Sequence, residues 1–423
     1  MSTEKFTDVR SLLRAFALAM NLINPEVEDH HQQTAYLAYM LVREMGISEN
    51  GVETAVYAAL LHDIGSVVTE NRQSVMEIEA DARNISVIGA EILSDIPGLK
   101  TVSEVIRRCQ LSWTEISAML RSDGREFKEC AQIASAIHLA DVVSTVIDPD
   151  IPILRQRGRI TEGVKSGRGK EFSERAADAF DRLSGREFIW FDLRYNPQFL
   201  LLFTGEIRYI SLDKMVELTK LMSRVIDYRS SFTAMHSAGV AASAVKLAEL
   251  AGMSGEECKM MRIAGNLHDV GKLKVPREIL EKPGKLTDDE FSVIKEHAYF
   301  TRLILMDVTG FEKIADWAGF HHEKLNGNGY PFKFGADMLD TGSRILAIAD
   351  IFSAITEVRP YRDGMPKEKA ISVLEENVSA GGLCPSLTKL LIDNYDIIDE
   401  ARARESEEAG KRYFASLKQC RRT

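Results

Sequence analysis

The feature that most constrains this chain is a repeat. His30 falls on His236, Leu41 on Leu247, Gly46 on Gly252, and Leu61-His62-Asp63-Ile64-Gly65 on Leu267-His268-Asp269-Val270-Gly271, all at one shift of 206 residues. A gap-free match over 30–65 that includes three metal-capable residues is hard to assign to chance. A period this long describes a duplicated domain rather than a solenoid, whose units run to about 20–50 residues. The length of 423 residues agrees, since about 100–200 residues make a domain. The expected division is 1–205, 206–385 and a C-terminal helical tail at 386–423.

Both copies read as helix. Ser254 followed by Glu257 is a capping-box start, and Met260, Ile263, Ala264 and Leu267 recur at helical spacing until Gly271 releases the chain. A further helix is expected from Ser211-Leu212-Asp213 through Met222 to Tyr228. Strand-like stretches are few, with 187–193 and 200–210 the best candidates. The Gly-, Arg- and Lys-rich run at 155–171 reads as an exposed loop, and the charged tail from Asp399 as a surface helix or frayed end. The fold class is mainly α, two tandem helical bundles with a small β element in the connecting region.

Composition sets the context. A net charge of −10 gives the chain no broad basic surface for DNA, RNA or an anionic membrane. The opening MSTEKFTDVR lacks the basic start and apolar core of a signal peptide, and no apolar run approaches the roughly 18–20 residues of a membrane helix. Five scattered cysteines without a C-x-x-C pair read as reduced thiols. A cytoplasmic protein is expected. Any phosphate it handles must be met by locally supplied positive charge.

The second copy supplies it. His236, His268-Asp269, His297, His321-His322 and Asp350 gather five of the nine histidines in one stretch, at intervals that suit successive antiparallel helices pointing into one bundle centre. Neutral imidazole mixed with carboxylate is the ligand set of a first-row metal. Vicinal side chains on a helix diverge by about 100°, so His268 and Asp269 serve one centre best if the carboxylate bridges two ions. Two ions about 3.5–4 Å apart would hold a bridging hydroxide for in-line attack at phosphorus.

In combination these residues, with Lys272, Glu323, Gly329-Tyr330-Pro331 and Arg359-Pro360-Tyr361-Arg362, closely resemble the HD-GYP subfamily of HD-domain phosphohydrolases over about 230–385. The resemblance implies tandem HD-type bundles and metal-dependent hydrolysis of 3′,5′-cyclic dinucleotides, cyclic di-GMP or 3′3′-cyclic GMP-AMP. Two divalent ions are implied, Fe or Mn foremost, with Co, Ni or Zn as alternatives. Carried over, His236, His268, Asp269 and Asp350 hold one ion, and Asp269, His297, His321 and His322 the other. Asp269 and Lys272 are the catalytic pair, with Lys272 also contacting a phosphate. Tyr330, Arg359 and Arg362 contact the substrate, and Arg344 is either a phosphate contact or an ion-pair partner. A homodimer and a protein partner at the Gly-Tyr-Pro loop are further expectations. Two positions depart from the family pattern. Phe232 stands where three-metal members place a glutamate, which predicts two ions and a linear product, and Ser353 replaces an aspartate common in the D-x-F-D segment.

The first copy keeps only His30, His62, Asp63 and Asp141, a candidate vestigial metal site. Aligning Ile92-Leu93 with Ile304-Leu305 puts Ile85 in the slot of His297, Ser66 stands for Lys272, and no Gly-Tyr-Pro loop occurs. His31 is off the ligand register and reads as a surface residue. An enzyme is the leading reading. A catalytically silent cyclic-dinucleotide receptor and an HD phosphohydrolase for another nucleotide are the competing ones.

Overall fold

In the computed structural model the described residues are 6–8, 11, 12, 15, 18–20, 29–67, 75–94, 98–123, 128–195, 209–228, 235–282, 284–357 and 364–420. The chain is mainly α and divides into two compact units, Phe16–Ile207 and the combination of Met1–Ala15 with Arg208–Thr423. Apart from two isolated bridges, the described β structure is one two-stranded antiparallel ladder, Thr7–Asp8 against Tyr209–Ile210, with Thr7 facing Ile210. Thr7 Oγ1 also donates to Thr309 O at 2.6 Å, which fastens the N-terminal strand to the second unit.

The first unit is built from α1 (His30–Glu44), α2 (Glu49–Leu61), α3 (Val75–Ser94), α4 (Lys100–Ile106), α5 (Trp113–Asp123), α6 (Lys128–Thr145), α7 (Ile153–Gly167), α8 (Glu174–Ser184) and α9 (Glu187–Tyr195). The second continues with α10 (Leu212–Tyr228), α11 (His236–Leu250), α12 (Gly255–Leu267), α13 (Arg277–Leu280), α14 (Asp288–Met306), α15 (Glu312–Gly319), α16 (Thr341–Thr356), α17 (Lys367–Ser379), α18 (Pro385–Asp393) and α19 (Tyr395–Cys420). The 206-residue shift carries α1 onto the start of α11 and both ends of α2 onto α12. The 3-10 turn Ile64–Val67 likewise aligns with Val270–Lys274. Local signals explain the match. Ser48 and Ser254 each cap their helix by accepting a backbone N–H, from Gly51 and Glu257, and Ser254 completes the expected capping box. Gly46 and Gly252 end the preceding helices at φ 67° and 81°, a conformation other side chains adopt at a cost.

Beyond the turn, the shift grows to 212. The Cβ that Gly65 lacks would lie 2.1 Å from Ile85 O, and that of Gly271 2.0 Å from His297 O. The same turn therefore rests on the same point of α3 and α14, and Ile85 occupies the slot of His297. At this shift α4 and α15 begin together.

Two expectations need correction, and a third, the surface helix of the charged tail, gains a buried stripe. Residues 187–193 are helical, because Ile189, Trp190 and Leu193 bury one helical face and Trp190 Nε1 donates to Ser184 O at 3.0 Å. Most of 155–171 belongs to α7, whose Ile153, Ile160 and Val164 form a buried stripe beneath the basic residues. The charged C-terminal segment packs: α19 lies along α11, burying Ile398, Arg402 and Ser406, and Ser406 Oγ donates to Met235 O at 3.0 Å. The 200–208 part of the other strand candidate lies outside the described residues, while Tyr209–Ile210 is a strand. No described helix is long and apolar enough to cross a membrane.

Candidate metal centre

Each ligand candidate sits where a helix begins, ends or crosses the core. His236 is the first residue of α11, His268 caps the end of α12, and Asp269 precedes the 3-10 turn. His297 lies within α14, His321-His322 follow α15, and Asp350 is carried by α16. Asp340 fixes α16 by capping it through Ser343 N at 2.8 Å while accepting from Trp317 Nε1 at 2.8 Å.

The ligand atoms of His236, His268 and Asp350 form one group within 4.8 Å of one another, and those of His297, His321 and His322 form another. Asp269 lies between them. Its Oδ2 is 3.3 Å from His268 Nε2 and its Oδ1 is 3.5 Å from His297 Nε2. Asp350 Oδ1 is 3.0 Å from His236 Nε2, and Asp350 Oδ2 is 3.8 Å from His322 Nδ1. The rings are oriented from behind. The Nδ1–H of His268, His297 and His321 donates to the carbonyl three residues back, at Gly265, Ile294 and Ala318, over 2.8, 2.6 and 2.5 Å. That leaves the Nε2 lone pair of each facing inward.

Two observations test whether this set suits metal ions. His268 Nε2 and Asp269 Oδ1 are buried without a hydrogen-bond partner, a costly arrangement that an ion relieves. Burial holds His297 down to about 3 and His322 down to about 4, so both are neutral imidazoles at neutral pH. Burial opposes ionisation of Asp269, but His268 and Lys272 overcome it and keep the carboxyl well below the usual carboxylate range. The donors fit a pair of first-row divalent ions.

Lys272 Nζ donates to Asp269 Oδ2 at 2.6 Å and remains partly exposed. Tyr330 lies against His322, with ring centroids 4.7 Å apart, and burial raises its phenol pKa so that it stays protonated. Arg344 donates to Leu339 O and Ala336 O at 2.8 and 2.7 Å and so supports the 336–339 turn. Arg359, Arg362 and Phe232 lie outside the described residues. Sequence reasoning assigned no role to Glu323, which is buried and accepts from Phe332 N and Phe334 N at 2.7 and 3.0 Å, anchoring the Gly-Tyr-Pro loop. Its place directly after His321-His322 was the available signal.

In the first unit the quartet also converges. His30 Nε2 is 3.0 Å from Asp141 Oδ1, and His62 Nε2 is 3.4 Å from Asp63 Oδ2 and 3.5 Å from Asp141 Oδ1. His31 is buried at 7% exposure rather than on the surface, with its ring 5.5 Å from His30 and 5.4 Å from His62. Its counterpart at the 206-residue shift is Ser237. Among the described residues the second group has no equivalent. At the 212-residue shift Ile85, Cys109 and Gln110 take the places of His297, His321 and His322. Gln110 Nε2 donates to Asp141 Oδ2 at 2.8 Å, and Cys109 Sγ donates to Ile106 O at 3.1 Å, the carbonyl that corresponds to Ala318 O.

Models described as HD domain match residues 27–145 and 220–380. The chain is 29% identical over 405 residues to a 3′3′-cGAMP-specific phosphodiesterase of Vibrio cholerae, covering 92% of each. It is 36% identical over 146 residues to a cyclic di-GMP phosphodiesterase of Pseudomonas aeruginosa, covering 34% of this chain and 35% of that one. A crystal structure of a Vibrio cholerae cyclic GMP-AMP-specific phosphodiesterase superimposes with a TM-score of 0.62 at 20% identity, over 92% of this chain and 98% of that one.

Proposed function

The chain is a tandem HD-domain protein, and from that premise we propose that its second unit hydrolyses a 3′,5′-cyclic dinucleotide to the linear dinucleotide. 3′3′-cyclic GMP-AMP is the first candidate, because the relative matched along both halves bears that name, and cyclic di-GMP is the second. The observation that carries the reading is Asp269. This carboxylate, 1% exposed, turns one oxygen to each of two imidazole groups, and its Oδ1 has no hydrogen bond.

The functional division read here is a degenerate HD domain over 1–205, a catalytic HD-GYP domain over 206–385 and a helical tail over 386–423. His236, His268, Asp269 and Asp350 would hold one ion, and Asp269, His297, His321 and His322 the other. Iron or manganese is proposed first. When bound, such ions supply positive charge to a phosphate and acidify an attacking water. The protein's part is to hold the Nε2 of His268, His297 and His321 inward through backbone carbonyls and to keep Asp269 ionised. Lys272 places an ammonium at the partly exposed edge, where it offsets charge on the phosphate as the P–O bond breaks. Tyr330 offers an aromatic face beside His322 on which a base can stack. With phenylalanine at 232, two ions and a linear product are proposed. A cytoplasmic homodimer and a protein contact at the loop, where Lys324, Asn326 and Asn328 are exposed, complete the reading.

The direct test is a side-by-side assay of 3′3′-cyclic GMP-AMP and cyclic di-GMP with Mn- or Fe-loaded full-length protein and product analysis. Cleavage of at least one to a linear dinucleotide is expected, and tight binding without turnover would instead indicate a receptor. In the same assay the pair His62→Ala, Asp63→Ala is expected to leave turnover standing, since the described residues of the first unit form no second ligand group. Lys272→Met is expected to lower kcat by about 10²–10³, the size of losing one donor aimed at developing charge. An unchanged kcat would remove Lys272 from the reaction.

A further inference from the structure

We propose that Glu357 is a positioning residue of the centre: it fixes the His236 ring for metal binding, in place of the serine that does this job in the first unit. The proposal rests on His236 being a ligand. It concerns a ligand ring that no carbonyl one turn behind it holds.

His62, His268, His297 and His321 are all held from behind by the carbonyl three residues earlier on their own helix. His30 and His236 open α1 and α11, and a residue at the first position of a helix has no helical carbonyl one turn behind it. Both therefore need a side chain from elsewhere. In the first unit it comes from α6: Ser144, three residues after Asp141, places Oγ 3.2 Å from His30 Nδ1. The equivalent residue in the second unit is Ser353, three residues after Asp350 on α16. Its hydroxyl is buried and makes no hydrogen bond among the described residues. Glu357, one helical turn later, places Oε2 3.3 Å from His236 Nδ1 instead. Glu357 N donates to Ser353 O at 3.0 Å, so the two positions lie one above the other on the same face.

The exchange alters the chemistry. Glu357 is 4% exposed, and a carboxylate buried to that degree is costly unless a specific partner takes it. Accepting the Nδ1–H of His236 gives Oε2 such a partner and favours the tautomer whose Nε2 is free for an ion beside Asp350, 3.0 Å away, while Oε1 has no hydrogen bond among the described residues. A carboxylate behind a ligating imidazole orients the ring and makes it a stronger donor, and loss of such a partner typically costs 10–100-fold in metal affinity. The hydroxyl of Ser144 can orient His30 but adds no charge.

The test titrates full-length, metal-free protein with Mn2+ alone. Glu357→Gln is expected to weaken Mn2+ binding by about 10–100-fold. Adding Ser353→Asp to that variant is expected to recover most of the loss, because it restores a carboxylate at the slot Ser144 uses. A folded Glu357→Gln protein with wild-type affinity overturns the proposal. So does a loss that Ser353→Asp fails to recover, accompanied by a lowered thermal transition of the metal-free protein, since that combination describes a purely structural role. If Glu357→Gln does not fold, Glu357→Asp replaces it: a several-fold weakening is expected, and wild-type affinity overturns the proposal. His236→Ala is the separating control. If it too leaves Mn2+ binding unchanged, the assignment of His236 as a ligand fails, and not merely the role of Glu357.

Discussion

Full-length protein carrying His268→Ala and Asp269→Ala is expected to lose cyclic-dinucleotide hydrolysis and the metal content of the second unit, while its metal-free fold persists. The loss follows from position, because His268 belongs to one ligand group and Asp269 faces both. Stability should respond differently. His268 Nε2 and Asp269 Oδ1 make no hydrogen bonds, so removing them deletes buried polar atoms that favour the metal-free fold little. The partners left behind are Lys272, whose ammonium is partly exposed and can turn to water, and Gly265 O, a helical carbonyl that loses the Nδ1–H of His268. The metal-free thermal transition of the double variant should therefore lie near or above that of the metal-free parent, the usual sign of residues kept for function. Metal analysis, a thermal melt with chelator and a hydrolysis assay read all three. Turnover that survives the double change would sink the assignment of the centre.

What the sequence revealed and what it hid have physical causes. The His-Asp pairs stand out because ligand chemistry tolerates few residue types and the 206-residue shift is free of gaps from His30 to Gly65. Extending the later shift of 212 from Ile92-Leu93 to Cys109-Gln110 would have located the lost second group. No letter survives there, since a thiol and an amide stand where the second copy has two imidazoles. His31 was misplaced because burial depends on what surrounds the start of α1, and the register of the other copy, which has Ser237 there, gives no hint of it. The 187–193 segment shows the limit of composition. Aromatic and aliphatic residues suit strand and helix alike, and the buried Ile189-Trp190-Leu193 face is what decides for helix. In α7 the glycines and arginines drew attention from Ile153, Ile160 and Val164, whose spacing was the better guide. Glu357 was missed because the D-x-F-D pattern points to position 353, while the carboxylate lies one turn further along.

Gly271 provides the largest expected effect from a residue with no ligand atom. The turn that delivers Asp269 and Lys272 lies directly on α14. Gly271 N donates to Thr301 Oγ1 at 3.0 Å, and Thr301 Oγ1 donates to His268 O at 2.9 Å. A Cβ at Gly271 would stand 2.0 Å from His297 O and 2.8 Å from Thr301 N, both backbone atoms that no rotamer change can move. Gly271→Ala must therefore push the turn and α14 apart, and with them Asp269 and His297, now 3.5 Å from each other. Overpacking of this kind costs about 3 kcal/mol, at the upper end of its usual range. For a unit of this size the thermal transition should fall by roughly 6–12 °C, and the metal content of the second unit should fall with it. Gly255→Ala, at the first position of α12 with nothing within 4 Å of the added Cβ, should be neutral or slightly stabilising. Gly65→Ala should destabilise the first unit by a similar amount, since its Cβ would meet Ile85 O at 2.1 Å, and leave metal in the second unit untouched. If Gly271→Ala melts like the parent and keeps its metal, the close approach of turn to helix does not set the spacing of the centre.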